Sequence, residues 1–285
     1  MTPTAIWLTI ARKEFADALR SRMIWGIVGI IAVMTSLSAG ISLLIPDVEG
    51  GAETAIGGAE MAIGGASQFA GLLVPIMALI AAYLAIAGER ESGSLKVILG
   101  LPPSRGEVLL GKFLGRSGVV AIGLALGFVV SGVVTAVLYG GLPVGAFLGT
   151  TLLTVLLGVS FVGVAIGISA VTATRGRAMT VAITAYLGST LLWDLVPFIG
   201  HVLVTGETPG TVVPAWFLLV QGFSPTGAYN ALVQRLLLGG TAVEGRLAGP
   251  TPGYLDPTVF VLILFAWAVA PLLVGYLWFR RADLS

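Results

Sequence analysis

Six long apolar runs, near residues 23–45, 68–88, 113–139, 147–173, 177–199 and 258–279, decide what this chain can become. Each is about as long as a helix that crosses the hydrocarbon core of a bilayer, roughly 20 residues. A water-soluble domain carries roughly 25% charged residues. Here 10% of the 285 residues are charged and 56% are hydrophobic. So much apolar sequence is solvated only by lipid. The expected fold class is an all-α polytopic membrane protein, a single transmembrane domain over 1–285 with six helices. Spanning helices satisfy their backbone hydrogen bonds internally, which lipid demands.

The charges orient the spans. Arg12, Lys13, Arg20 and Arg22 precede the first, and Arg90, Lys96, Arg105, Lys112 and Arg116 lie between the second and third. Arg175 and Arg177 lie between the fourth and fifth, and Arg280 and Arg281 follow the sixth. With six spans all of these fall on one side, and only Arg235 and Arg246 fall on the other. Cytoplasmic loops collect Lys and Arg, so the reading is a multi-pass protein of the cell membrane with both termini cytoplasmic.

Several chemistries are excluded. The chain has no Cys, hence no disulfide, thiolate metal site or Cys nucleophile. A single His, His201, is a poor basis for a metal site or proton relay. The net charge of +1 leaves no nucleic-acid footprint. Gly106 to Lys112 fits the start of a phosphate-binding loop, Gly-x4-Gly-Lys, but Phe113 stands where a Mg-binding Ser or Thr is needed. Such a loop also follows a β-strand, so ATP is not expected to bind here. Asp194, near the outer end of the fifth span, is the one acidic residue within a span. An intramembrane carboxylate is a functional candidate. It either borders a translocation path or sits solvated and inert at the headgroup boundary. No second carboxylate accompanies it, and no Gly-x-Ser-x-Gly motif is present to build a hydrolase.

Residues 4–22 read as an amphipathic interfacial helix. Ile6, Trp7, Ile10, Phe15 and Leu19 share an apolar side, and Arg12, Lys13, Asp17 and Arg20 face away. A cleaved signal peptide fits less well, because the apolar run continues past Ala39 to Ile45. Residues 46–67 hold Asp47, Glu49, Glu53 and Glu60 and a seven-residue repeat, Ala55 to Ala59 and Ala62 to Ala66. This segment reads as a flexible Gly-rich connector, with a mobile outer gate as the functional alternative. Residues 200–257 form a long extracytoplasmic segment. In it, Val212 to Val220 is too short to span, and Pro225 opens a second helical stretch. Both are expected to cap the outer face of the bundle. Gly-x3-Gly pairs at Gly111/Gly115, Gly123/Gly127, Gly145/Gly149 and Gly163/Gly167 suit close helix packing within the bundle, or else a dimer contact.

The charged island between spans two and three, 89–112, is the most informative loop. Charges at the bilayer centre cost roughly 3 kcal/mol each, so the island belongs in water or against a partner. Leu95, Ile98, Leu99 and Leu101 recur at helical spacing before Pro102-Pro103, which outlines a short amphipathic helix. The pattern Glu89-x-Glu91-x-Gly93-x-Leu95, then Leu101-Pro102-x-Ser104-Arg105, then Leu109-Leu110-Gly111-Lys112 resembles the cytoplasmic loop between spans two and three of ABC-2 type transporter permeases. Ala11 to Phe15 with Leu19 to Arg22 resembles that family's N-terminal interfacial helix, and Phe279 to Asp283 its C-terminal end.

The resemblance implies an ATP-driven exporter of two permease copies, as a homodimer or heterodimer, and two separate cytoplasmic ATPases, with ATP and Mg on the ATPases and no cofactor in this chain. The nearly uncharged spans disfavour a strongly ionic cargo, and the expectation is a hydrophobic or amphiphilic one. The resemblance further implies that the helix within 92–100 docks on the ATPase. Leu95, Ile98 and Leu99 then supply apolar contact, and Arg105 belongs to the same coupling site. Glu89 and Glu91 pair with cations of the ATPase or of the 4–22 helix. A membrane scaffold or maturation factor of the same architecture, without its own transport cycle, is the alternative.

Overall fold

The computed structural model describes residues 6–20, 22–42, 55–95, 103–239, 241–247 and 249–281. Ile98, Leu99 and most of the proposed docking helix lie outside the described residues, as do 46–54 of the outer connector. Among the described residues the elements are helices: α1 (Ile6–Leu19), α2 (Arg22–Ser42), α3 (Ala55–Ala82), α4 (Ala87–Glu91), α5 (Arg105–Tyr139), α6 (Val144–Val171), α7 (Arg175–Tyr186), α8 (Leu195–Thr205), α9 (Ala215–Gln221), α10 (Pro225–Leu238), α11 (Thr241–Glu244) and α12 (Pro257–Phe279).

Among the described residues four segments are long and apolar enough to cross a membrane: Gly57–Glu91, Arg105–Tyr139, Val144–Val171 and Pro257–Phe279. A fifth crosses if α7 and α8 count as one broken span, bent by 50°. α2 is a helix of 21 residues, and within it the stretch Val28–Ile41 is apolar. The result is a multi-pass membrane protein. Val133, Val137, Leu152 and Leu262, each at least 60% exposed, fit a surface turned to lipid rather than water.

α6 is the centre of the bundle. It packs on α12, α3, α5 and α10. Leu157, Phe161, Val162, Ala165 and Ile166 are fully buried on it, as expected of a helix that is apolar all round. Its Ser and Thr side chains bond across to neighbours. Ser160 Oγ lies 2.8 Å from the Leu264 carbonyl, and Thr154 Oγ1 lies 3.0 Å from the buried Tyr229 hydroxyl of α10. Small residues set the spacing. A Cβ at Gly163 or Gly167 would run into the carbonyls of Ala268 and Pro271 on α12. Gly111 and Gly115 lie under the Trp7 and Ala11 carbonyls of α1, and Gly127 lies under Ile31 of α2. These Gly-x3-Gly pairs pack helices within one bundle, where small residues let backbones approach closely.

Four expectations about element boundaries change. The repeat at 55–66 is the opening stretch of α3, not a connector. Seven residues are two helical turns, so the repeat puts Gly58 against the Tyr139 ring of α5 and Gly65 against Ser38 of α2. The third span starts at Arg105, so 105–112 are helix rather than loop. A capping box begins it, with Glu107 N donating to Ser104 Oγ and Ser104 N donating to Glu107 Oε2 at 2.9 Å.

The fifth span is not a single straight helix. A π-turn, Leu187–Leu191, interrupts it, and Pro197 has no N–H for the Trp193 carbonyl, which takes Val196 N at 2.9 Å instead. In the outer segment, α9 and α10 form where expected, but α10 does more than cap. It packs on α6, α12 and α3 with Tyr229, Leu232 and Val233 buried.

Candidate functional site

One end of the bundle carries a cluster of charges assembled from α1, α4 and α5. Lys112 sits one helical turn before Arg116, so both side chains leave α5 on one face. Gly111 and Gly115 on the same helix let α1 come so close that a Cβ at either would stand 2.8 Å from an α1 carbonyl. Glu14 is delivered into this contact from the inner side of α1. Arg12, Lys13, Asp17 and Arg20 stay exposed on its outer side, and Trp7 is half-buried.

The geometry is that of a closed network. Lys112 Nζ donates to Glu14 Oε1 at 2.8 Å and to Glu89 Oε1 at 2.7 Å. Arg116 Nε donates to Glu14 Oε2 at 2.9 Å, and its Nη2 lies 2.8 Å from the same oxygen. The Lys112 side chain is only 2% exposed. Two carboxylates and two cations sum to zero charge, and such balance is what allows ions to be buried. Burial pushes the Glu14 carboxyl up, but the charges of Lys112 and Arg116 and their hydrogen bonds outweigh it and hold the group below its ordinary 4.5.

The same cations and their neighbours secure the irregular turn between α3 and α4. Arg116 Nη1 donates to the Ala81 carbonyl at 3.0 Å, at the frayed end of α3. Ser169 of α6 accepts from the backbone N–H groups of Ile86 and Ala87, each at 2.9 Å, at the start of α4. Side chains of two neighbouring helices thus satisfy backbone groups that a helix break leaves open.

Next to this joint, Glu91 Oε2 accepts from the backbone N–H of Arg175 at 2.6 Å and lies 3.9 Å from its Nε. A carboxylate at a helix N-terminus meets the positive end of its dipole, so α4 holds the start of α7. The expected coupling residues therefore divide. Glu89 pairs with Lys112 of its own chain, and Glu91 pairs with Arg175, not with cations of the 4–22 helix. Leu95 is 1% exposed and belongs to the core, which removes it as a surface contact. Arg105 turns inward. Its Nη1 donates to the Phe279 carbonyl at the end of α12, and its guanidinium stands 5.4 Å from the Phe279 ring centroid.

Asp194 lies at the opposite kind of place, exposed at the break between the π-turn and α8. Its Oδ1 accepts from Gln221 Nε2 at 3.3 Å. It borders a polar cavity of about 120 Å³ with Thr190, Thr226, Asn230, Gln234 and Arg246. Among the described residues no three His, Asp or Glu side chains gather as a metal site. The network missed by sequence reasoning comprises Glu14, Lys112 and Arg116. Its signal was the coincidence of Lys112/Arg116 with Gly111/Gly115 at the same four-residue spacing.

The family model for ABC-2 family transporter proteins matches residues 8–284. Relatives in Stutzerimonas stutzeri and Pseudomonas aeruginosa, both named as the ABC transporter permease protein NosY, are 31% and 32% identical to the chain. Each alignment covers 97% of this chain and 98% of the relative. A helical membrane bundle with a charged joint after its second apolar segment, matched from end to end, belongs to the ABC-2 family of transporter proteins.

Proposed function

We propose that this chain is the permease subunit of an ATP-driven transporter of the cell membrane, powered by a separate cytoplasmic ATPase that carries ATP and Mg. The observation that carries the reading is the buried Glu14–Lys112–Glu89 joint together with the family match. The joint fastens the segment entering the 92–104 loop directly to α5 and α1. In this reading α2, α3–α4, α5, α6, α7–α8 and α12 are six spans and both termini and the loop are cytoplasmic, which the Lys and Arg distribution supports.

The ATPase docks on the loop between Glu91 and Ser104, with Ile98 and Leu99 as apolar contacts. Its closure on ATP pushes this loop. Glu89 and Lys112 make α4 and α5 move as one body, and Glu91 passes the displacement to α7. The cargo is hydrophobic or amphiphilic. In support, an apolar cavity of about 460 Å³ lies between α3 and α7, bordered by Leu79, Ile80, Met179 and Ile183. Asp194 stands at the outer end of the path. A second permease copy covers the π-turn and α8, whose exposed apolar residues include Leu191, Leu195 and Ile199.

The test is co-purification from detergent-solubilised membranes followed by ATP hydrolysis. The chain alone should be inactive and should raise the rate of the ATPase that accompanies it. A chain that recovers no ATPase, or leaves its rate unchanged, defeats the proposal.

A further inference from the structure

A cavity of about 970 Å³ opens where α6 ends, α7 begins and α12 ends. Three arginines line it, Arg90, Arg177 and Arg281, and among the described residues no carboxylate does. Among the described residues Arg177 and Arg281 take part in none of the ion pairs, which all involve Lys112, Arg116 and Arg175. The wall on the other side is apolar and is supplied by α12. There Val274, Leu277 and Trp278 are 54%, 49% and 66% exposed, so the cavity is continuous with the face turned to lipid. Trp278 marks the headgroup level, where Trp concentrates.

We propose that this cavity holds the headgroup of an anionic phospholipid of the cytoplasmic leaflet, with its phosphate against Arg177 and Arg281 and its acyl chains along α12. Guanidinium groups fit phosphate oxygens in pairs. The combination of cation cluster and apolar wall selects an amphiphile over a small anion, and basic recesses between cytoplasmic helix ends are where anionic lipids bind. The volume suits a headgroup with the first carbons of its chains. The leaflet assignment rests on the orientation proposed above. The occupant's chemistry rests on the arginines and the wall alone.

The test is native mass spectrometry of the protein released from membranes with the subunits that co-purify, re-equilibrated with phosphatidylglycerol, cardiolipin or phosphatidylcholine. Wild type should retain the two anionic lipids in preference to phosphatidylcholine. The Arg177→Gln/Arg281→Gln variant should lose that preference by about thirtyfold, roughly fivefold for each interfacial arginine. Arg20→Gln, which removes an exposed arginine just past α1 and outside the cavity lining, should keep it. Gly176→Leu adds bulk without touching charge, since a Cβ there meets nothing within 4 Å, and it should also weaken retention. Equal retention by the double variant, or equal binding of phosphatidylcholine, overturns the site. Displacement by inorganic phosphate at millimolar concentration overturns the lipid in favour of a free anion. Loss of a second copy of the chain in the double variant makes the cavity a subunit interface and overturns it too. Labelling of a Cys at position 176 from outside intact cells, with lipid preference intact, refutes the orientation and leaves the site standing.

Discussion

Replacing Lys112 by Met removes the central cation of the joint while keeping a flexible, similarly long side chain. Removing one partner of a buried ion pair costs roughly 3–5 kcal/mol, because the other charge is left uncompensated. Two features reduce that figure here. Glu14 keeps both of its contacts with Arg116. The Glu89 side chain is 22% exposed, less completely buried than that of Glu14, although its Oε2 is itself buried and unpaired. The expected loss is therefore about 2–3 kcal/mol, or roughly 4–8 °C in melting temperature on the scale of soluble domains.

Glu89→Gln/Lys112→Met leaves one carboxylate and one cation, Glu14 and Arg116, and should regain at least half of the loss. The acid limb supplies a second readout. Glu14 has its pKa depressed in the folded protein. Its contribution is present above the ordinary 4.5 and disappears as pH falls through the lower folded value. Without Lys112 one of the depressing charges is gone, so the variant should lose stability at a higher pH than wild type. The assay is fluorescence-detected size exclusion after heating, run from neutral pH down to pH 3. A Lys112→Met protein as stable as wild type, or a double variant no better than the single one, would refute the view that these charges hold α1, α4 and α5 together.

Glu91→Gln should leave folding nearly unchanged, since an exposed pair contributes about 0–1 kcal/mol. Transport by the reconstituted complex should fall while ATP hydrolysis persists, and wild-type transport would make Glu91 a bystander. Gly163→Ala should abolish the monodisperse peak in size exclusion, because its methyl meets the Ala268 backbone, whereas Gly145→Ala, with nothing within 4 Å, should be neutral. Tyr229→Phe strips a hydroxyl that lies 3.0 Å from Thr154 Oγ1 and donates to the Ser67 carbonyl at 3.2 Å. It should lower stability by about 1–2 kcal/mol in the same heating assay, and an unchanged profile would mean that water replaces the bond.

Apolar run length alone located α6 and α12 to within a few residues, because lipid leaves a spanning helix few other ways to satisfy its backbone. What lay beyond one-dimensional reading was depth. Lys112 looked like a loop charge, and only the close approach of α1 over Gly111 and Gly115 buries it. Leu95 looked like a docking residue on an amphipathic helix, yet tertiary packing takes it into the core. The start of α5 was legible and was passed over: Pro103-Ser104-x-x-Glu107 is a capping-box signature that sets the helix start at Arg105. That boundary changes the mechanics. With 105–112 in a loop, a push on the 92–104 segment would be absorbed by slack chain before reaching the membrane. With α5 rigid from Arg105, and with Arg105 bonded to the end of α12, the same push arrives at a lever that already joins two spans and α1. The flanks of the loop, Ser92 to Leu95 on one side and Pro103-Ser104 on the other, are then the parts in which flexibility would uncouple the proposed ATPase from the bundle. Inserting Gly-Gly after Ser94 should leave the Lys112 joint and the melting temperature intact while lowering transport in the reconstituted complex. Unimpaired transport by that insertion would show that the displacement enters the bundle by another route.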